Sequence, residues 1–211
     1  MPDRGVQIQV PMRHPRRHEL LRRQWRTHVG HLSHVRDLRF PRSGDREIYR
    51  YEVRERLLGD IAVSRQYTDR LGGLSGTADS DREQVGVHIV SAGALWLNGA
   101  YGQAEIGPGM LCIRDLRVPW EFAFTQPTSC TTLILPHAAV AAYARHRTVP
   151  PLTVAHHDTA ESQLFLSHLT MAWKLAGHLS GPGTVASRES LLVLLAAIVD
   201  TDGRAGISPP V

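Results

Sequence analysis

Forty residues in the middle of the chain, Val85 to Phe124, alternate short apolar runs with turn residues, and they restrict the fold more than any other stretch. Val85, Val87 and Ile89 recur at every second position, which places them on one face of a strand. Gly93 interrupts the run, Ala94 to Leu97 resumes it, and Asn98-Gly99 matches the dipeptide of a tight hairpin turn. Gly107-Pro108-Gly109 marks a second turn and opens a strand from Met110 to Arg114. After an irregular step at Asp115, Trp120 to Phe124 reads as one more strand. Four or five antiparallel strands joined by short turns predict a small barrel or jelly roll. Such a barrel either fills its centre with side chains or holds one ligand.

The flanks are less regular. Pro2, Pro11 and Pro15 break up residues 1–18, which are expected to be a basic, mobile segment. Glu19 to about Val29 fits a short helix with Leu20, Leu21, Trp25 and Val29 as a partial apolar stripe. Tyr49, Tyr51 and Val53 fall on one side of an extended segment, Glu47 to Arg54. Residues 71–81 are rich in Gly, Ser and Asp and are expected to form a loop. Beyond the central strands, Cys130 to Leu135 is a strand ended by Pro136, and Ala138 to His146 fits a short helix. Asp158 to Glu161 resembles a capping box ahead of a helix running to about His178. Gly181-Pro182-Gly183 is read as a turn, and a second helix follows from about Ser187 to Asp200. The apolar surface of that pair, which includes Leu191, Leu194, Leu195 and Ile198, exceeds what two helices can cover between them. It must pack on the barrel, on another subunit, or on both.

Charge is distributed unevenly. Residues 1–42 carry ten Arg against three acids, a net of +7 in a chain whose total is +4. Clustered Arg neutralises phosphates, but Trp25 and Phe40 are the only aromatics within it, so a solvated tail is the simpler reading and specific DNA binding is not expected. His28, His31 and His34 are spaced by three and cannot all converge from one helix, so no metal site is assigned there. Asp79, Asp81 and Glu83 read as solvated loop acids. Two cysteines, Cys112 and Cys130, imply no disulfide framework. The polar, Arg-rich start is unlike a signal peptide, and the longest apolar run, Leu191 to Val199, is too short to span a bilayer. A cytoplasmic protein without membrane contact is expected.

The order of these parts resembles the N-terminal ligand-binding and dimerisation region of AraC-type transcriptional regulators. The resemblance covers roughly residues 19 to 200. It rests on Leu58-Gly-Asp-Ile-Ala-Val63, on Val87 to Gly93, on Gly107-Pro-Gly-Met-Leu111, on Asp115-Leu-Arg-Val-Pro-Trp120, and on Leu133-Ile-Leu-Pro136 with its following helix. It implies an α+β fold: a cupin-like antiparallel β-barrel over 19–150, an antiparallel helix pair for dimerisation over 151–200, and a flexible tail at 201–211. The family continues into a region with two helix-turn-helix units, whereas this sequence reaches Val211 without such a pattern. The metal-binding cupin pattern is also missing, for no His-x-His occurs. The resemblance therefore implies a stand-alone effector-binding protein, forming a homodimer or a heterodimer with a full-length regulator, with no cofactor.

A mainly apolar pocket is expected inside the barrel, bounded by some of Tyr67, His88, Trp96, Trp120 and Phe122. Trp120, Phe122 and Phe124 share a face opposite Glu121 and Ala123, so the aromatics face inward. Parity does not fix the side taken by His88. It is either a satisfied wall residue or a polar anchor for a ligand. No catalytic residue is assigned. The alternative is a cofactor-independent enzyme that cyclises or isomerises a hydrophobic metabolite, for which His88 or Tyr67 would have to shuttle a proton.

Overall fold

The computed structural model describes residues 4–29, 35–40, 47–76, 83–146 and 148–202. His31, His34, Asp79 and Asp81 lie outside them. The chain opens with strand β1 (Arg4–Pro11), helix α1 (Arg17–His28) and strand β2 (Val35–Arg39). The central strands are β3 (Ile48–Leu58), β4 (Ile61–Thr68), β5 (Leu71–Ser75), β6 (Gln84–Ala92) and β7 (Leu95–Gly99). They continue as β8 (Gly102–Ile106), β9 (Met110–Asp115), β10 (Trp120–Phe124) and β11 (Thr128–Pro136). A short helix α2 (His137–Ala141), strand β12 (Leu152–His156) and helices α3 (Ala160–Leu175) and α4 (Gly181–Asp202) complete the fold.

The strands form two antiparallel sheets, in the orders β1-β3-β4-β11-β6-β9-β12 and β2-β5-β10-β7-β8. The expected cupin-like jelly roll is thus present, followed by the packed pair α3–α4. One core lies between the sheets, where Tyr51, Val53 and Val90 meet Leu95, Leu97, Trp120 and Phe122. A second core lies on the other face of the larger sheet, where Val85, Val87, Ile89, Leu111 and Ile113 meet Phe165, Leu169, Leu191, Leu195 and Ile198. Strand β6 is therefore covered on both faces, and Val85 to Val90 is buried without alternation. By contrast β3, solvated on one face over its first half, buries only Tyr49, Tyr51 and Val53 there.

Several sequence expectations are corrected. Residues 4–11 form a strand, not an irregular segment: β1 pairs with β3 along its whole length, with Ile8 and Val10 turned inward. Its alternation was masked by Pro11, which sits at the end of an edge strand, where a missing N–H is tolerated. The start of the supposed loop at 71–81 is strand β5. The β7–β8 hairpin turns at Ala100-Tyr101, since Gly99 pairs with Gly102. Gly99 serves packing instead, because a Cβ there would lie 2.8 Å from the Trp120 ring. Residues 152–156 belong to the barrel sheet, as β12 beside β9, and not to the helical unit. The cap of α3 is Thr159, whose hydroxyl accepts from the Ser162 N–H. Gly181-Pro182-Gly183 is the first turn of α4, where proline is tolerated.

Helix α4 is long and apolar enough, by length and composition alone, to cross a membrane, which the short run Leu191 to Val199 did not suggest. Its apolar residues have a destination in the fold, because Leu191, Leu192, Leu195 and Ile198 are fully buried on the sheet. Leu194 is only half-buried.

Candidate functional site

Helix α1 packs against β1 and β2, the outermost strands of the two sheets. It closes the open edge of the sandwich, with the Trp25 ring tilted against that of Tyr51 at a centroid distance of 4.8 Å. Behind it, between the sheets, lies a cavity of about 70 Å³. Trp25 of α1 and Val29, which caps it, form one wall, and Val35, Leu95, Phe122 and Phe124 of the smaller sheet form a second. The larger sheet supplies Tyr51, Ile134 and a polar group: Ser64, Gln66, His88, Arg114 and Thr132.

Register explains why the polar residues converge. Ser64 of β4 pairs with Thr132 of β11, which pairs with His88 of β6. The three stand side by side in one row. Arg114 of β9 pairs with Gly86, one row away. Gly86 leaves the space that Arg114 and His88 use; a Cβ there would lie 2.9 Å from the Leu116 side chain and 3.5 Å from His88 Nε2.

The hydrogen bonds have a defined direction. Arg114 Nε donates to His88 Nε2 at 3.0 Å. A guanidinium only donates, so that ring nitrogen accepts, and the ring proton sits on Nδ1, 3.2 Å from Thr132 Oγ1. Gln66 Nε2 donates to the same Thr132 oxygen at 3.2 Å, while Gln66 Oε1 accepts from the Tyr51 hydroxyl at 2.9 Å. Arg114 Nη1 donates to Ser75 Oγ at 2.6 Å. Burial, reinforced by the charge of Arg114, holds the His88 pKa well below its ordinary value, so the ring is neutral. Burial draws Arg114 down to about 10, which leaves it cationic near neutral pH.

Of the five residues expected at a pocket, His88 and Phe122 line this cavity. His88 takes the inward face, because the outward one belongs to Val85, Val87 and Ile89 beneath the helices. Trp120 faces inward but lies in the closed core, fully buried, with its indole N–H unpartnered among the described residues. Trp96 does not line the cavity: it stands opposite Ala123 and Glu105, whereas Leu97 stands opposite Phe122. Tyr67 shares its strand face with Val63 and Arg65, lines a separate groove with Glu52 and Arg54, and donates to Asp69 Oδ1 at 2.9 Å. Sequence reasoning passed over Arg114, Thr132, Gln66 and Ser64. The available signal was a charged residue at the same parity as Cys112 in the apolar run Met110 to Ile113. Among the described residues, no group of three or more His, Cys, Asp or Glu side chains is placed to hold a metal ion.

No protein-family model matches the chain, and no curated protein does. Among solved structures, the AraC-like transcriptional activator CuxR is similar over 100% of this chain and 73% of its own, with a TM-score of 0.75 and 17% identity. Partial likenesses include the EutQ protein of Clostridium difficile, at TM-score 0.35 and 8% identity over 42% of this chain and 64% of that one. Another is an HTH_3 family transcriptional regulator from Vibrio cholerae, at TM-score 0.35 and 10% identity over 40% of this chain and 49% of that one. The described residues have the cupin-like barrel and helix-pair fold of an AraC-like transcriptional regulator.

Proposed function

We propose that the chain is a small-molecule effector-binding protein of the AraC-like regulatory kind, with the cavity between the sheets as its sensor site. One observation carries this reading: an apolar cavity bordered on one face by a connected polar cluster of Arg114, His88, Thr132 and Gln66. Apolar walls with a few placed polar groups are the ordinary composition of a ligand site. The likeness to a transcriptional activator supports an output in transcriptional regulation. The test is mass spectrometry of small molecules that co-purify with the protein, followed by thermal melting with each one. A stabilising compound recovered unchanged supports the reading; conversion of the compound by the protein would replace it with an enzyme.

The geometry favours binding over catalysis. Both ring nitrogens of His88 are engaged, by Arg114 and by Thr132, and Tyr67 does not line the cavity. Of the two proton shuttles named by the enzyme reading, Tyr67 lies away from the cavity, and His88 would have to give up a bond to Arg114 or Thr132 to act.

The proposal extends to self-association through α3. Leu164, Met171 and Leu175 follow one another at seven and four residues, so they share one side of the helix, and all three are exposed. A second copy of the chain is the occupant proposed for this stripe, since one apolar patch can meet its own copy across a two-fold axis.

A further inference from the structure

Resting on the effector-site reading, we infer that the occupant of the cavity is a small monocarboxylate, its carboxylate on Arg114 and its apolar body against Phe122, Phe124 and Trp25. Arg114 is 7% exposed and, among the described residues, is the one charged group on the cavity wall. It spends two N–H groups on neutral acceptors, His88 Nε2 and Ser75 Oγ, and forms no ion pair among the described residues. The neighbouring carboxylate, Asp115, is engaged by Arg117, with Nη2 2.7 Å from Oδ2. A guanidinium has five N–H groups, and burying a cation without a counter-charge is costly. An anion entering the cavity removes that cost.

The direction of the network selects an acceptor as well. Arg114 forces His88 to accept, and His88 and Gln66 both donate to the oxygen of Thr132. The Thr132 proton is then left to the Cys130 sulfur at 3.8 Å, a weak acceptor. The unspent capacity nearest the guanidinium is therefore donor capacity, which an acceptor-only group satisfies. One cation balances one negative charge, and the guanidinium fork matches the two oxygens of a carboxylate. A phosphate dianion would leave one negative charge buried and unpaired. The size limit is strict, because about 70 Å³ is below the ~150 Å³ of a cavity known to take up benzene. A short aliphatic acid fits directly, and an aromatic acid requires the phenylalanines to give way.

The full chain is titrated by calorimetry and thermal melting with acetate, butyrate and benzoate at matched ionic strength, each beside its amide, with inorganic phosphate as a further probe. At least one acid is expected to bind roughly tenfold or more tighter than its amide, with phosphate no better than chloride, and Arg114→Met is expected to abolish the preference. Arg114→Met removes a buried unpaired charge, so it is expected to melt no lower than wild type without acid. Should it fail to fold, Arg114→Lys, which keeps the charge and loses the fork, is expected to lose most of the preference. Equal binding of acid and amide, or a preference that survives both changes, overturns the inference and leaves the cavity as an effector site. A preference for phosphate also overturns it. Binding by neither acids nor amides removes the inference, and the effector-site reading falls separately if no co-purifying compound stabilises the protein.

Discussion

Arg114 donates its Nε–H to Nε2 of His88 across the β9–β6 pair, at 3.0 Å and between two buried side chains. Burial, with the Arg114 cation beside it, keeps the imidazole neutral, and the bond from Arg114 commits its single proton to Nδ1. A residue that ordinarily titrates near neutrality is thereby fixed as an acceptor on one side and a donor on the other.

Stability should therefore depend on pH through His88. Its folded pKa is lowered from an ordinary 6.5, so between the two values the unfolded chain binds the extra proton. The contribution is complete above about pH 6.5 and is lost as pH falls below it, with a slope of up to about 1.4 kcal/mol per pH unit. His88→Gln offers an acceptor to Arg114 and a donor to Thr132 without titrating. Urea unfolding from pH 7.5 to 5 should show a flatter profile for this variant. The burial-lowered His18 and His157 supply slope that remains in both proteins. Identical slopes would show that His88 is not the titrating group.

Trp120 should behave as core. It is fully buried, its ring lies against Gly99, and it does not line the cavity. Trp120→Ala should cost about 3–5 kcal/mol in unfolding free energy. Trp120→Phe should cost distinctly less, because it also deletes an indole N–H that is buried without a partner among the described residues. Phe124→Ala, at a half-buried cavity wall, should cost less stability than Trp120→Ala and change ligand affinity instead. Denaturant titrations of the three variants rank them.

What the sequence made legible followed from local contrast. Glu121 between Trp120 and Phe122 identifies the solvent side of β10, and Tyr49, Tyr51 and Val53 do the same for β3. Strand β6 has no such contrast, because helices cover one face and the second sheet the other, so the orientation of His88 was unreadable. The strands that were missed had other causes. β2 is largely charged, and β12 follows Pro150-Pro151 and pairs with β9, about forty residues upstream. Arg114 was overlooked because its meaning depends on cross-strand neighbours. Only the register brings it next to Gly86 and within reach of His88 and Ser75.

The space at Gly86 gives a further prediction. A Cβ at this position meets Leu116 at 2.9 Å and approaches His88 Nε2 at 3.5 Å. Gly86→Ala asks only the end of a flexible leucine to move and should cost about 1 kcal/mol. Gly86→Val adds two methyl groups where Arg114 and His88 meet, and it should cost about 1–3 kcal/mol or more. Acid binding should be lost in the valine variant and largely kept in the alanine variant, as calorimetry would show. Equal binding by both would place the ligand away from this row.

The proposed self-association can be separated from folding because different leucines are assigned to each. Leu191, Leu195 and Ile198 are fully buried on the sheet, so a glutamate at any of them would put an unpaired charge in the core and unfold the chain. Such a variant would say nothing about a dimer. Leu164, Met171 and Leu175 are 60%, 51% and 42% exposed, and their exposure leaves room for polar replacements. Leu164→Glu with Met171→Glu should change monomer stability by no more than about 0.5 kcal/mol per site. It should convert a dimer to a folded monomer, because glutamates facing each other across a two-fold axis repel. Light scattering at tens of micromolar reads the mass, and circular dichroism confirms that the fold is kept. A wild-type chain that is already monomeric at that concentration, or a double variant that remains dimeric, would sink the assignment of α3 as the contact.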